Sequence, residues 1–467
     1  MTTEILSDDV LLEIFDFYLV QANRIEKWFT LAHVCQRWQT LVLASPHRLN
    51  LRLHCTNNFK KRPAVAMMML DYFPTLPIVI SGYGTFAFGQ SHESMEGTDN
   101  IMAALEHRDR IRQITLRKPS YFVLEGFVAM MREPYPALTE LEIEVDDSYT
   151  IIPLDSFSGA PHLRSLRLYG VRSPALSNLL FTANNLVNLH LCMIPHSGFI
   201  SPQEMVSCLS SFTRLEDFQI GFRSSEPFTD PDDRENEASQ HPPLTRVDLP
   251  YLIRLWFGGN SDYLEDFVAR INAPLLYIFE MEFTNADFNI SPLFEFIDRV
   301  ESFKIFDKAE VDFYDQSVDV QLSLQNERAE RTTLVLKIEP EEVGQLSDLD
   351  QLFSSALHPL STPERLELNV DVNFPILWHD AVEGGHWLEF LYPFNAVKNL
   401  YRSYEFATLR MSALQDLRRE HAIELLPALQ NLFVKELRSS TKVQKSIGSF
   451  VAARQLSGHP VAVHQWA

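Results

Sequence analysis

His379, Glu383 and His386 stand at i, i+4 and i+7, so an unbroken helix would gather two imidazoles and a carboxylate on one face as a divalent-metal site. Gly384 and Gly385 argue against such a helix, and the HExxH order of zinc proteases is absent, so no metal is expected. Gly82, Tyr83 and Gly84 do not form a phosphate loop, because no Gly-Lys-Ser or Gly-Lys-Thr follows. His33 and Cys35 are the nearest thing to a thiol-base pair. Two apart on a helix, their side chains diverge by about 200°. Cys35 therefore reads as a small apolar core residue. Cys35, Cys55, Cys192 and Cys208 are widely separated with no CxxC pair, which argues against both a disulfide framework and a zinc site. Carboxylates are abundant but none has a diagnostic spacing. The chain is thus expected to carry no catalytic residue, cofactor or metal. A hydrolase with an unrecognised site would need a deep polar pocket lined by perturbed ionisable groups.

The 467 residues, 46% hydrophobic, are ample for an extended core. Forty basic against 62 acidic residues give a net charge of -22, which repels nucleic acid and anionic lipid over most of the surface. The basic run Lys60, Lys61 and Arg62 stands alone before Pro63 and reads as a solvated turn. No eighteen-residue apolar run suits a membrane span, and Met1 to Leu6 is too short and polar for a secretory signal. A soluble protein of a reducing compartment, cytoplasm or nucleus, is expected.

The elements begin with a helix. Ser7 supplies a capping hydroxyl, and Asp8 and Asp9 sit at the positive end of the dipole. From there to about Leu19, apolar residues cover more than half the circumference, leaving Asp9, Glu13 and Asp16 as the polar sector. A second helix from about Glu26 to Val42 places Trp28, Leu31, Val34, Cys35, Trp38 and Leu41 on one half. Two helices cannot close a core alone. Some of this surface must meet the following domain or another protein.

"LSDDVLLEIF" followed by "LAHVCQRWQTL" resembles the F-box, whose usual pattern is Leu-Pro-x-(x)-(Ile/Val)-Leu-x-x-Ile-Phe and then Val-Cys-(Lys/Arg)-x-Trp-x-x-Leu. Ser7 replaces the usual proline, and Arg37 fits if one residue of spacing is allowed at "CQRW". The resemblance implies docking on a Skp adaptor, and through it on a cullin and the ubiquitin-transferring machinery. It assigns contact surface to Leu6, Val10, Leu11, Ile14, Phe15 and Val34, and the module's core to Cys35, Trp38 and Leu41. If Trp38 is fully buried, its truncation to alanine costs about 3–5 kcal/mol.

Beyond residue 100 the pattern Leu-x-x-Leu-x-Leu recurs with first members Ile111, Leu138, Leu163, Leu186, Leu215 and Leu244, at steps of 27, 25, 23, 29 and 29. Weaker copies start at Leu276, Val300, near Leu366, Val397 and Leu429. Steps in the twenties predict leucine-rich-repeat units of strand and return helix, with "PALSNLLFTA", "SPQEMVSCLSSF", "DYLEDFVARI" and "SPLFEFIDRV" as helices. Most copies lack the asparagine of regular repeats, so an irregular arc is expected. The segment 224–243, acidic and proline-rich, reads as a flexible loop, whether a docking tab or an indifferent insertion. The ending "ALQNLFV…VQKSIGSFVAARQLSGHPVAV" resembles that of a large group of fungal F-box proteins, and its helix around Lys442 to Gln455 is expected to cap the solenoid.

The expected fold is therefore α/β: an F-box helical hairpin in 1–50, a linker and first cap in 51–100, an irregular leucine-rich-repeat solenoid with a curved parallel sheet in 101–440, and a capping helix and tail in 441–467. Trp256, Trp387 and Tyr404 are candidates to touch an unknown protein substrate on the strand face, with plain packing as the other reading. The expected function is substrate recruitment for a Skp-cullin-F-box ubiquitin ligase. The alternative is a leucine-rich scaffold whose hairpin is only a cap.

Overall fold

The computed structural model describes residues 6–21, 27–46, 48–49, 51–56, 63–83, 98–119, 121–130, 133–146, 151–174, 176–195, 198–223, 246–283, 291–314, 317–325, 331–338, 358–370, 391–402, 425–435 and 441–466. It is a mixed α/β protein whose strands run mostly parallel. The chain falls into two compact units, Met1–Leu189 and His190–Ala467.

The first unit opens with three helices, α1 (Asp8–Gln21), α2 (Lys27–Ala32) and α3 (Gln36–Ala44). The expected second helix is broken at His33 to Cys35, so the expected hairpin is a three-helix arrangement. Cys35 is extended there, with φ -161 and ψ 166, and marks the start of α3 without a side-chain cap. Then come β1 (Leu53–Thr56), α4 (Pro63–Tyr72), β2 (Ile78–Tyr83), α5 (Thr98–Leu105), β3 (Ile111–Arg117), α6 (Tyr121–Met130), β4 (Glu140–Glu144), β5 (Ser165–Tyr169) and α7 (Leu176–Thr182). The strands β1 to β5 are parallel and neighbours in chain order. Residues 51–100, expected as linker and cap, thus already supply two strands.

Register explains why the repeat motif folds this way. Leu141 lies beside Ile114 and Leu166, and Ile143 beside Leu116 and Leu168, so the last two apolar positions of each motif form rows on one face. The leading residue turns in as well: Leu138, Leu163 and Leu186 are all buried. Each such side chain contributes about 1.5–3 kcal/mol on burial, and the intervening polar residues are left on the opposite face.

The division between the units falls inside β6 (Asn188–Ile194). In the second unit follow α8 (Pro202–Leu209), β7 (Asp217–Phe222), β8 (Val247–Asp248), β9 (Arg254–Gly259), α9 (Ser261–Ala269), β10 (Ile271–Asn272), β11 (Ile278–Phe283) and α10 (Ser291–Arg299). After them come β12 (Lys308–Phe313), β13 (Val318–Gln325), β14 (Arg331–Ile338), β15 (Arg365–Val370), β16 (Asn399–Arg402), β17 (Asn431–Lys435), α11 (Thr441–Leu456) and β18 (Ala462–Trp466). Ten strands run in the order β7-β9-β11-β14-β13-β12-β15-β16-β17-β18.

Three expectations are corrected in this unit. In the Leu244 copy, whose first two residues lie outside the described ones, the described residues form the two-residue β8, paired with β10. The Val300 copy is a single 3-10 turn, Glu301–Phe303, in which Val300 and Phe303 are buried while Lys304 and Ile305 face out. Between them and β15 lies an antiparallel meander, β12-β13-β14, entered from its far strand because β11 pairs with β14. The four expected helices form as α7, α8, α9 and α10. Ser201 accepts the Glu204 amide at 3.2 Å, and Asn260 accepts that of Asp262 at 2.8 Å.

Candidate docking surface

The α1 helix starts where the Ser7 hydroxyl accepts the Val10 amide at 3.4 Å. At about 100° per residue its described side chains divide into three sectors. Asp9 and Glu13 lie in the polar sector, where Arg48 meets them at 3.3 and 2.6 Å. Arg48 is held above the usual arginine range, chiefly by its hydrogen bond to Glu13. Arg37 of α3 binds Asp8 at 2.6 Å and donates to the Leu6 carbonyl at 2.6 Å, tying the helix start to its neighbour. Leu11, Leu12 and Phe15 form the buried sector, with the Phe15 ring 4.7 Å from that of Trp38.

The third sector is apolar and bare. Val10 is 44% exposed, Ile14 46% and Phe17 65%, all within an arc of about 60°, with Tyr18 beside them. Leu6, just before the helix, and Val34, in the turn between α2 and α3, are also exposed. Six residues were assigned to contact by the F-box resemblance, and the structure divides them. Leu6, Val10, Ile14 and Val34 lie outside, whereas Leu11 and Phe15 lie at 1% and 0% exposure. Those two are corrected from contact to core, because both are buried and the Trp38 ring of α3 lies beside Phe15. No protein-family model matches this sequence, and no curated protein matches it.

Of the expected module core, Trp38 and Leu41 are half-buried, while Cys35 is exposed at the helix break and is corrected accordingly. Trp28 does more than any of them: it is 2% exposed, its Nε1 donates to the Arg52 carbonyl at 3.4 Å, and its ring meets Phe73 edge-on at 5.4 Å. Phe17 and Tyr18 escaped assignment. Their signal was the same helical spacing that placed Val10 and Ile14 on one side.

On the strand face, Trp256 is half-buried and lies over backbone. A Cβ on Gly221 would come within 2.6 Å of its ring, and one on Gly258 within 2.7 Å, so these paired glycines make room for it. Trp387 and Tyr404 lie outside the described residues, as do His379, Glu383 and His386 and the acidic segment 224–243. Four residues missed in sequence line up on adjacent strands. The Arg365 guanidinium sits 4.1 Å from the Tyr401 ring centre, Tyr401 stacks on Phe433 at 4.3 Å, and Phe433 on His464 at 4.9 Å. Nearby, Lys308 bridges Glu310 and Glu367 at 2.9 Å each.

Burial pushes the thiols of Cys55, Cys192 and Cys208 up to about 11, which suits packing and disfavours thiolate chemistry. Gly82 is a packing residue, since a Cβ there would meet Leu116 at 2.8 Å. Among the described residues no group of three or more His, Cys, Asp and Glu side chains could hold a metal, and no helix is long and apolar enough to cross a membrane.

Proposed function

We propose that this chain is a substrate-recruiting subunit of a Skp-cullin-F-box ubiquitin ligase, with α1 docking on the Skp adaptor and the repeat domain holding a protein substrate. One observation carries the reading: the arc Val10, Ile14 and Phe17 stays bare although both other sectors of α1 are occupied. Apolar patches of this kind, rimmed by charge, mark protein interaction sites. The sequence resemblance supplies the identity of the partner. Catalysis then resides elsewhere in the complex, and this chain contributes proximity.

Capture on a Skp adaptor tests it, comparing wild type with Val10→Asp plus Ile14→Asp. Retention of wild type and loss of the variant is expected. Equal retention, or no capture of the folded wild type, overturns the reading. The Trp28 contacts with Arg52 and Phe73 favour a second one, in which the helices only cap the first strands and the arc binds nothing.

A further inference from the structure

The strand order of the second unit ends at β18, and no described strand lies beyond it. Ala462 donates its amide to the Gln430 carbonyl at 2.8 Å, which fixes the phase of the parallel ladder. Bonding alternates along such a strand. Ala462, His464 and Trp466 therefore turn their amides and carbonyls to β17, and Val463 and Gln465 turn theirs away. Sheet edges of this kind are usually blunted by charge, by proline or by a covering element. In the first unit the Arg52 carbonyl, next to β1, is covered in that way by Trp28 Nε1. The sequence Ala-Val-His-Gln-Trp of β18 contains no Asp, Glu, Lys, Arg or Pro.

A second copy of the chain fits this edge better than a strand of arbitrary sequence. A two-fold axis brings the same edge of two molecules together as an antiparallel pair. With the axis between the two His464 residues, Ala462 stands opposite the partner's Trp466 and Val463 opposite the partner's Gln465. The outward amides and carbonyls of Val463 and Gln465 then all find partners across the axis. Small faces large at both ends, so the indoles do not collide. The two His464 residues form the narrow pair, with Cα atoms about 4.5 Å apart.

The side chains add a second reason. Register puts Tyr401, Phe433 and His464 in one row, stacked at 4.3 and 4.9 Å, with Trp466 edge-on to Tyr401 at 5.3 Å. His464 Nε2 lies 3.2 Å from Asn431 Oδ1, which holds the imidazole in the row. That row stops at an exposed His464, and the two-fold axis continues it into the partner's row. Charge points the same way. Each chain carries a net charge of -22, and a strand without formal charge is where two such chains approach with least repulsion.

We infer that this chain self-associates through β18 as a two-fold dimer in which two sheets join edge to edge. The contact is one strand wide and belongs to the weak class of interfaces, with a Kd of about 1–50 μM. It stands apart from the adaptor reading, which concerns α1.

Sedimentation velocity of the full chain from about 1 to about 100 μM should show monomer passing to dimer. Gln465→Pro removes an outward amide and no bond to β17, so it should weaken dimerisation at least about tenfold at an unchanged melting temperature. Cross-linking reads the register. In a Cys35→Ser background, which removes the exposed thiol, His464→Cys should give a disulfide-linked dimer with diamide, because Cα atoms about 4.5 Å apart suit a disulfide. Val463→Cys meets its own copy only on the diagonal, about 7–8 Å away, and should cross-link at least about tenfold more slowly. Val463→Cys plus Gln465→Cys should recover the yield. A chain still monomeric at about 100 μM, as when the edge serves an extended segment of a different protein, overturns the inference. So does a dimer unmoved by Gln465→Pro, or equal cross-linking of the two single-cysteine variants. Should Gln465→Pro lower the melting temperature, the cysteine series decides alone.

Discussion

The first and last helices of the chain solve opposite problems. The last, α11, turns Ile447 and Phe450 into the core and presents Gln444, Lys445 and Ser449 outward, with Leu456 the apolar exception at its final turn. Arg454 is wholly buried in the same helix, and its Nη2 donates to the Leu426 and Leu429 carbonyls at 3.4 and 3.2 Å. Burial depresses its pKa, yet arginine keeps its charge at any working pH. That helix is finished by its own chain. In α1 the Val10, Ile14 and Phe17 arc is open, although Arg37, Arg48 and Trp38 fix the helix firmly. An uncovered apolar face on a well-anchored helix points to a partner, since loose packing is not what leaves it exposed.

The comparison breaks if the anchoring of α1 is weak. Phe15→Ala should therefore have the largest effect, a loss of about 3–5 kcal/mol in urea denaturation, because the side chain is fully buried against Trp38. Trp38→Ala should cost less than the value for a fully buried tryptophan, since Trp38 is only half-buried. Arg454→Ala comes next, at about 2–3 kcal/mol, from two carbonyls deprived of their donor and lost packing of the stem. Arg454→Met should recover the packing and leave most of that loss. A neutral result for either position would remove the distinction between a helix held by its chain and one held out for a partner.

Acid should separate the regions further. His54 in β1 is pushed down to about 4, first by burial and then by Arg52, and its Nδ1 is buried without a partner among the described residues. The unfolded chain, with an ordinary histidine near 6.5, binds the proton more readily, so stability falls as pH drops from about 6.5 to about 4 and then levels off. Urea midpoints measured across that window should decline. His54→Asn should flatten the decline. Hydrogen exchange should show β1 and the helices packed on it loosening before α11, whose buried cation does not titrate there.

What the sequence made legible follows the same physics. Leu138, Leu141 and Ile143, or Leu163, Leu166 and Leu168, announce a strand because alternation and a leading apolar residue together have one packing solution. In the meander, β14 alternates without that leading residue, since Arg331 stands three before Leu334, and β12 has Phe306 as its lead but only Ala309 at the next apolar place. Val300 carries the lead and Phe303 keeps its place in the core, yet the motif closes into a turn and its third apolar position, Ile305, faces out. On α1 the surplus of apolar surface was readable, but its division was not. That needed Arg48 on the polar sector and Trp38 against Phe15, both supplied by residues more than twenty positions away. A cleft of the first unit that Arg52, Arg112 and Arg164 line was out of reach for a stronger reason: they are fifty or more residues apart and come to one cleft only because the strands stack.

The smallest expected effect is the most discriminating. Val10→Asp plus Ile14→Asp places two carboxylates on an exposed arc, where the substitutions remove little buried area and should change stability by no more than about 0.5 kcal/mol per site. The same charges at Ile447 and Phe450 of α11 would be buried and should unfold that helix from the core. Adaptor capture supplies the second axis. A bare arc that serves a partner loses capture at unchanged stability, because two charges in an apolar interface must be desolvated without compensation. An arc that is merely the outside of a cap keeps both measurements at their wild-type values. Stability and capture falling together would mean that Val10 and Ile14 are covered by the chain itself, and α1 would then belong with α11 as a self-finished helix.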